Sequence, residues 1–314
     1  MAEAPPSLGL RWQRWRRHWL RDPSLAALNY ALLYLVRKLP TDRGSALGGF
    51  IGRINGRWRY PVIRERIKHG YVHLTGAQMS AAELDQLTDR VFTNTGRTML
   101  EFALLYRLWR EGRVTVVGGD ELLALRRAGR PVVCVGLHLG NWEILGVALA
   151  GLGIRFTSFY QPPRSRFEHR IAVSARQSYG AELLPPGVGA TRAALRLLSE
   201  QRGVLGIYGD EERRGYVNAP LFGRKPAPRA NLVVAVRLAM ASGAALVPCY
   251  VERLDGARFR ATFLPPVELM PAGNDRQGAL DENILRLDRA ITAPILAHLD
   301  QWYSLLDYYR PERF

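Results

Sequence analysis

Hydrophobic positions change their rhythm along this chain, and the change falls near residue 114. Before it they recur every three to four residues. Leu8, Trp12, Trp15 and Trp19 lie on one helical stripe, and Arg11, Arg14, Arg16, Arg17 and Arg21 crowd the remaining surface. A second helix follows over residues 24–39, and residues 44–112 read as further helices. Gly48, Gly49, Gly52 and Gly56 let one of these approach a neighbour closely. Ser80 and Glu83 have the spacing of a capping box opening a helix at AAELDQL. Residues 99–110 form another strongly apolar helix.

From Val114 short β-rich runs alternate with helical ones. VTVVGG (114–119) predicts a strand, DELLALRRAG a helix and PVVCVGL (131–137) a buried strand, with the next helix starting at about Asn141. Further strands are expected at 154–160 and 204–210, with helices at 166–180 and 191–203 around them. A loop holding Gly215, Pro220, Gly223, Pro226 and Pro228 comes next. It leads to a helix at 231–243, strands at 244–253 and 258–266, and a helical stretch at 278–306. This alternation predicts an α/β fold, a mostly parallel sheet flanked by helices. Residues 1–40 are read as an N-terminal attachment segment and residues 41–314 as the body.

Composition narrows the partners. With 314 residues and 47% hydrophobic content the chain is long and apolar enough to bury a core, which excludes a wholly disordered protein. The net charge of +16 suits a polyanion: nucleic acid, anionic lipid or an acidic carrier protein. The cations are spread along the chain without a recognised binding motif, which argues against nucleic acid. Cys134 and Cys249 sit in apolar runs and read as buried, reduced thiols. No Cys/His cluster has zinc-ligand spacing, so no metal is expected. The apolar run from Leu25 to Val36 contains Asn29 and falls short of the roughly 20 residues that a spanning helix needs. The basic, Trp-rich start lacks the form of a signal peptide. Trp beside Arg suits the plane of a membrane interface; a plain amphipathic helix docked on its own body is the alternative.

The chemistry concentrates in PVVCVGL-HLGNWE-ILGVALAG. His138 and Glu143 form H-x4-E (HX4E), and no other histidine has an acidic residue five positions on. His138 lies just past the carboxyl end of a buried strand, where open α/β sheets place their ligands. Glu143 is expected in the first helical turn, folded back on the imidazole. A neutral imidazole can take the proton of an attacking hydroxyl, and a carboxylate on its other nitrogen fixes the tautomer. Backbone N–H groups at the helix start, or a nearby Arg, would serve a developing oxyanion. A helix-capping His with a dipole-favoured Glu fits the same spacing.

Taken whole, HLGNWE resembles the catalytic motif of the bacterial lipid A biosynthesis acyltransferase family, and the resemblance covers most of the chain. LNYALLYLVRKLP, VTVVGGDELLALRRAGRPVVCVGLHLGNWE, SARQSYGAELL and YGDEERRG are similar to successive family blocks, the last two mapping onto Arg176 and Asp210. Phe222 and Gly223 occupy conspicuous family positions. The resemblance implies a glycerolipid-acyltransferase-like fold with an N-terminal membrane-surface helical segment. It implies an enzyme that moves an acyl chain from acyl carrier protein to a hydroxyl of a lipid A precursor in lipopolysaccharide biosynthesis. His138 and Glu143 would be catalytic, and Asn141, Arg164, Arg176 and Asp210 would bind substrate. Neither metal nor cofactor is needed, with the acyl carrier protein thioester as co-substrate. The protein would be peripheral or monotopic at the cytoplasmic face of the inner membrane, touching anionic lipid and the lipid acceptor. Two departures bear on the acceptor. Tyr160-Gln161-Pro162 stands where the family usually has Tyr-Arg-Pro, so either Arg164 takes over that contact or the contact is lost. The closing segment QWYSLLDYYRPERF matches only loosely and lacks the family His. A glycolipid, an ornithine-type lipid or glycerol phosphate stays open as acceptor. A non-catalytic membrane scaffold is the reading from another class.

Overall fold

The computed structural model describes residues 9, 12, 15–163, 165–185, 187–213 and 215–309, with the side chains of Arg17 and Val188 excepted. A helical layer comes first. A π-helical turn, Arg17–Arg21, leads into α1 (Asp22–Lys38), followed by α2 (Thr41–Arg59), α3 (Pro61–Thr75), α4 (Ala81–Glu101) and α5 (Leu105–Arg110). Glycine sets the α2–α4 crossing. A Cβ on Gly48 would stand 2.5 Å from the Gly96 carbonyl oxygen, so the two backbones meet where no side chain fits. Ser80 and Glu83 form the expected reciprocal capping box at the start of α4.

The sheet elements then run β1 (Val114–Val117), α6 (Gly119–Arg127), β2 (Val132–Gly136), α7 (Ile144–Gly151), β3 (Thr157–Phe159), α8 (Arg166–Ser178), β4 (Glu182–Leu184), α9 (Val188–Ser199) and β5 (Val204–Tyr208). The hairpin β6 (Glu212–Arg213) and β7 (Tyr216–Val217) follows. After it come α10 (Asn231–Ser242), β8 (Ala245–Arg253), β9 (Phe259–Phe263), α11 (Arg276–Ala297), a 3₁₀ turn (Leu299–Gln301) and α12 (Leu305–Tyr308). The seven-stranded sheet has the order β1-β9-β8-β2-β5-β3-β4. All pairings are parallel except β8 with β9. The fold is therefore the expected α/β architecture.

Strand β2 is buried along its whole length, as a central parallel strand must be when helices cover both faces. Val133 and Val135 join a core with α10 and α11, while Val132 and Cys134 join one with α5 and α7. The helix leaving β2 thus packs on one face, and the helix reached from β5 packs on the other. Chain direction switches between these two adjacent strands, which opens a crevice beyond their carboxyl ends.

Three expectations change in detail. The helix after β2 starts at Ile144 rather than near Asn141, because Gly140 takes a left-handed φ of 57° and Leu139 bridges to Trp302. Strand β4 was not legible: it is three residues long at the sheet edge and only partly covered. The stretch 278–306 is not one helix. It stops after Ala297, and the chain turns through Leu299–Gln301 back toward the sheet.

No helix among the described residues is long and apolar enough to cross a membrane. Trp12, Trp15 and Trp19 are all exposed, with the Arg166 guanidinium of α8 over the Trp19 ring at 5.9 Å. Leu8, Arg11 and Arg14 of that predicted segment lie outside the described residues, as does the Arg17 side chain. Phe50, Ile54 and Trp58 make a second exposed apolar stripe along α2, with Trp58 84% exposed.

Candidate active site

The register of the two central strands brings the site together. Gly136 pairs with Tyr208, so the residues two places on, His138 and Asp210, leave the sheet side by side. His138 Nδ1 lies 2.9 Å from Asp210 Oδ1, and the His138 backbone N–H donates to the same carboxyl at 2.9 Å and 3.1 Å. Trp302 Nε1 donates to Asp210 Oδ2 at 2.8 Å. Asp210 is completely buried, whereas the His138 side chain keeps a quarter of its surface open (25%). With a carboxyl acceptor on Nδ1, the ring hydrogen sits there and Nε2 presents its lone pair. The Tyr208 ring stacks on the imidazole at 4.4 Å and fixes its plane.

Glu143 stands elsewhere. It occupies the position before α7, is 2% exposed, and receives Arg176 Nη2 at 2.6 Å, Arg176 Nε at 3.1 Å and the Tyr179 hydroxyl at 2.9 Å. No hydrogen bond joins it to the imidazole. The expected His138–Glu143 contact is therefore replaced by two pairs, His138–Asp210 and Glu143–Arg176. The reason is backbone geometry: residues 138–143 form tight turns rather than helix, which turns Glu143 away from His138 and toward α8. Burial works against the Arg176 charge, but the Glu143 carboxylate more than reverses it and raises the guanidinium above its ordinary value. Burial and the same carboxylate push the Tyr179 phenol well up, so it stays protonated and donates. Burial does likewise for Tyr208, whose hydroxyl donates to the Trp142 carbonyl at 3.0 Å.

Asn141 also points inward. It is fully buried and its amide donates to Glu101 Oε2 at 2.9 Å. Glu101 is the hub of a network that the sequence does not advertise, because its members lie far apart in the chain. Arg253 clasps it through Nη1 at 2.6 Å and Nη2 at 2.9 Å, and the Ser45 hydroxyl donates at 2.6 Å. Thr98 donates to the Gly140 carbonyl, and the Gly140 N–H donates to the Gln301 carbonyl, both at 3.0 Å. The HLGNWE turn is thereby held by α4, the end of β8 and the turn after α11. Arg164 lies outside the described residues.

A narrow crevice of about 40 Å³ opens beside this chemistry, toward the sheet. Glu143, Arg176, Tyr179 and Tyr208 line its polar end; Leu145, Leu149 and Phe156 belong to its apolar wall. Tyr208 belongs both to this crevice and to the stack on His138. Among the described residues no cluster of His, Cys, Asp or Glu could hold a metal ion. Trp302, like Tyr208 and Glu101, is a residue of the site that the sequence did not single out. The only signal for Trp302 is general: a buried Trp has one polar atom that needs a specific partner.

The family model described as bacterial lipid A biosynthesis acyltransferase matches residues 17–310. No curated protein matches the chain.

Proposed function

The chain belongs to the bacterial lipid A biosynthesis acyltransferase family and is an acyltransferase, and on that premise we propose that it moves a fatty acyl group from acyl carrier protein to a hydroxyl of a lipid A precursor. The observation that carries the mechanism is the buried Asp210 on His138 Nδ1. His138 Nε2 accepts the hydroxyl proton as the oxygen attacks the thioester carbonyl, and Asp210 stabilises the imidazolium that forms. The tetrahedral intermediate collapses with loss of the thiolate, which takes the proton back from His138. Arg176, clamped by Glu143, offers its cationic edge to the developing oxyanion. These roles make His138 the base, Asp210 its orienting partner, and Glu143 the residue that holds Arg176. Asn141 sets the turn rather than touching substrate.

No metal or cofactor takes part in this scheme. The protein works at the cytoplasmic face of the inner membrane, with the exposed Trp12, Trp15 and Trp19 at the headgroup level beside their arginines. The surplus of +16 suits the acidic carrier protein and anionic lipid alike.

The test is direct. Purified protein is incubated with lauroyl- or myristoyl-loaded carrier protein and a panel of lipid hydroxyl acceptors, beside His138→Ala, and products are read by mass spectrometry. Gain of one acyl chain by one acceptor, abolished in the variant, supports the reading. Transfer that survives in His138→Ala removes the base from it.

A further inference from the structure

The loop between β5 and α10 runs from Gly209 to Ala230 and carries Asp210 near its start. It therefore projects from the same carboxyl edge of the sheet as His138. The hairpin β6–β7 and the residues after it border an open groove of about 700 Å³. Four cations line that groove: Arg213, Arg224, Lys225 and Arg229. Asn218 and Tyr216 line it too, and no acidic side chain does. None of the four cations comes within 4 Å of a described carboxylate, although Glu211 lies in the field of Arg213 and Asp288 in that of Arg224.

One cation of the groove is held in place by its own loop. Arg224 is fixed from behind: its Nε and Nη2 donate to the Leu221 and Pro220 carbonyls at 2.9 Å and 2.8 Å, and its guanidinium lies over the Tyr308 ring at 5.5 Å. Tyr308 in turn packs on Trp302, the residue that donates to Asp210. One wall of the groove thus rests on the aromatic layer that closes the active site. Four like charges on one concavity repel each other in the empty protein, a cost that a multiply charged anion reverses. Planar guanidinium donors match phosphate oxygens in geometry as well as sign.

We infer that the groove of Arg213, Arg224, Lys225 and Arg229 binds a phosphate group of a substrate and holds that substrate beside the His138–Asp210 pair. The ligand class is a phosphate monoester or diphosphate headgroup. Two substrates could bring a phosphate here: the lipid acceptor or the phosphopantetheine arm of the donor. The choice between them rests on the acyl-transfer reading; the binding itself does not.

The experiment therefore has two arms. In the first, inorganic pyrophosphate is titrated by calorimetry into the wild type, His138→Ala and the triple variant Arg213→Gln/Lys225→Gln/Arg229→Gln. All three proteins are first checked for equal thermal stability, and exposed positions such as these tolerate the change. Binding to the wild type and His138→Ala, weakened about tenfold or more in the triple variant, is expected. Equal affinity in all three, or none in the wild type, overturns the site. In the second arm, steady-state constants are measured with phosphorylated and dephosphorylated acceptor, and with thioesters of coenzyme A and of plain pantetheine. A raised KM confined to phosphorylated acceptor assigns the groove to the acceptor; one confined to the phosphate-bearing thioester assigns it to the donor. A KM raised only for the carrier-protein thioester, with pyrophosphate binding unchanged, makes the groove a protein-docking surface and refutes the phosphate assignment. If the wild type transfers no acyl group at all, the acyl-transfer reading fails while the first arm still decides the groove.

Discussion

Asp210→Asn changes one atom of a buried carboxyl and asks which group orients His138. Two orientations are open to the new amide. With its nitrogen at the Oδ2 position it faces the Trp302 Nε1–H and the His138 backbone N–H, both donors, at 2.8 Å and 2.9 Å. That arrangement sets donor against donor in a site without exposed surface. With its nitrogen at the Oδ1 position the Trp302 bond survives, but the amide now donates toward His138 Nδ1 across 2.9 Å. The ring hydrogen must then move to Nε2, where the lone pair is needed. The second orientation costs less in stability and removes the base. The expected loss is the worth of a positioned general base, about 10²–10⁴-fold in kcat, or about 3–5 kcal/mol of transition-state stabilisation. The KM for the thioester should change little, since Asp210 is buried away from it. Steady-state acyl transfer followed by mass spectrometry checks this, with thermal denaturation confirming the fold. A variant within about threefold of wild type would refute the orienting role of Asp210 and return that role to Glu143.

Other outcomes follow from the same coordinates. Arg253→Met leaves the Glu101 carboxylate buried without its clamp and should cost about 3–5 kcal/mol in urea denaturation, while Glu101→Leu with Arg253→Met should cost less; a single variant as stable as wild type would contradict the network. Gly140→Ala forces a side chain onto a φ of 57° and a Cβ to 2.5 Å from the Val251 carbonyl oxygen. It should lose about 2 kcal/mol or more together with activity, and unchanged melting and kcat would show that the turn adapts. Burial pushes the Glu211 carboxyl up from 4.5 to about 7. Its folded form binds a proton that the unfolded chain has already released, so between those values stability falls as pH rises, and above about 7 the loss is complete, on the order of 3 kcal/mol. Glu211→Gln should therefore gain on wild type from pH 4.5 to pH 7 in melting experiments, and a difference independent of pH would exclude this linkage. Replacing Trp12, Trp15 and Trp19 by Ser should reduce co-sedimentation with anionic vesicles several-fold; undiminished pelleting would remove the stripe from the membrane contact.

The alternation of strands and helices after Val114 was legible because each signal is local: a buried parallel strand reads as a continuous apolar run, and its helix as a periodic one. His138 was legible for the same reason, since it terminates such a run. The partner of His138 was not. H-x4-E invites a contact within one turn, yet the contact that forms depends on the β2–β5 register, which pairs Gly136 with Tyr208 across the sheet. Asp210 did stand out by its family resemblance, but the reading as substrate ligand missed its place on the imidazole. Glu101 and Arg253 carry no local pattern at all, being 152 residues apart. Strand β4 failed for the opposite reason: its three residues are too few to show a period.

The turn after α11 has a consequence for the order in which the protein becomes competent. Gln301 holds Gly140 and Arg253, Trp302 holds Asp210, the Tyr303 N–H donates to the His138 carbonyl, and the Ser304 hydroxyl donates to the Asp210 carbonyl. Every strand of the sheet is made before these residues leave the ribosome, and segments fold from the N-terminal side first during synthesis. His138 and Asp210 can therefore face each other across a finished sheet and still lack the groups that fix them. A nascent chain that ends before residue 299 therefore has all seven strands and lacks every one of these contacts to His138, Gly140, Asp210 and Arg253.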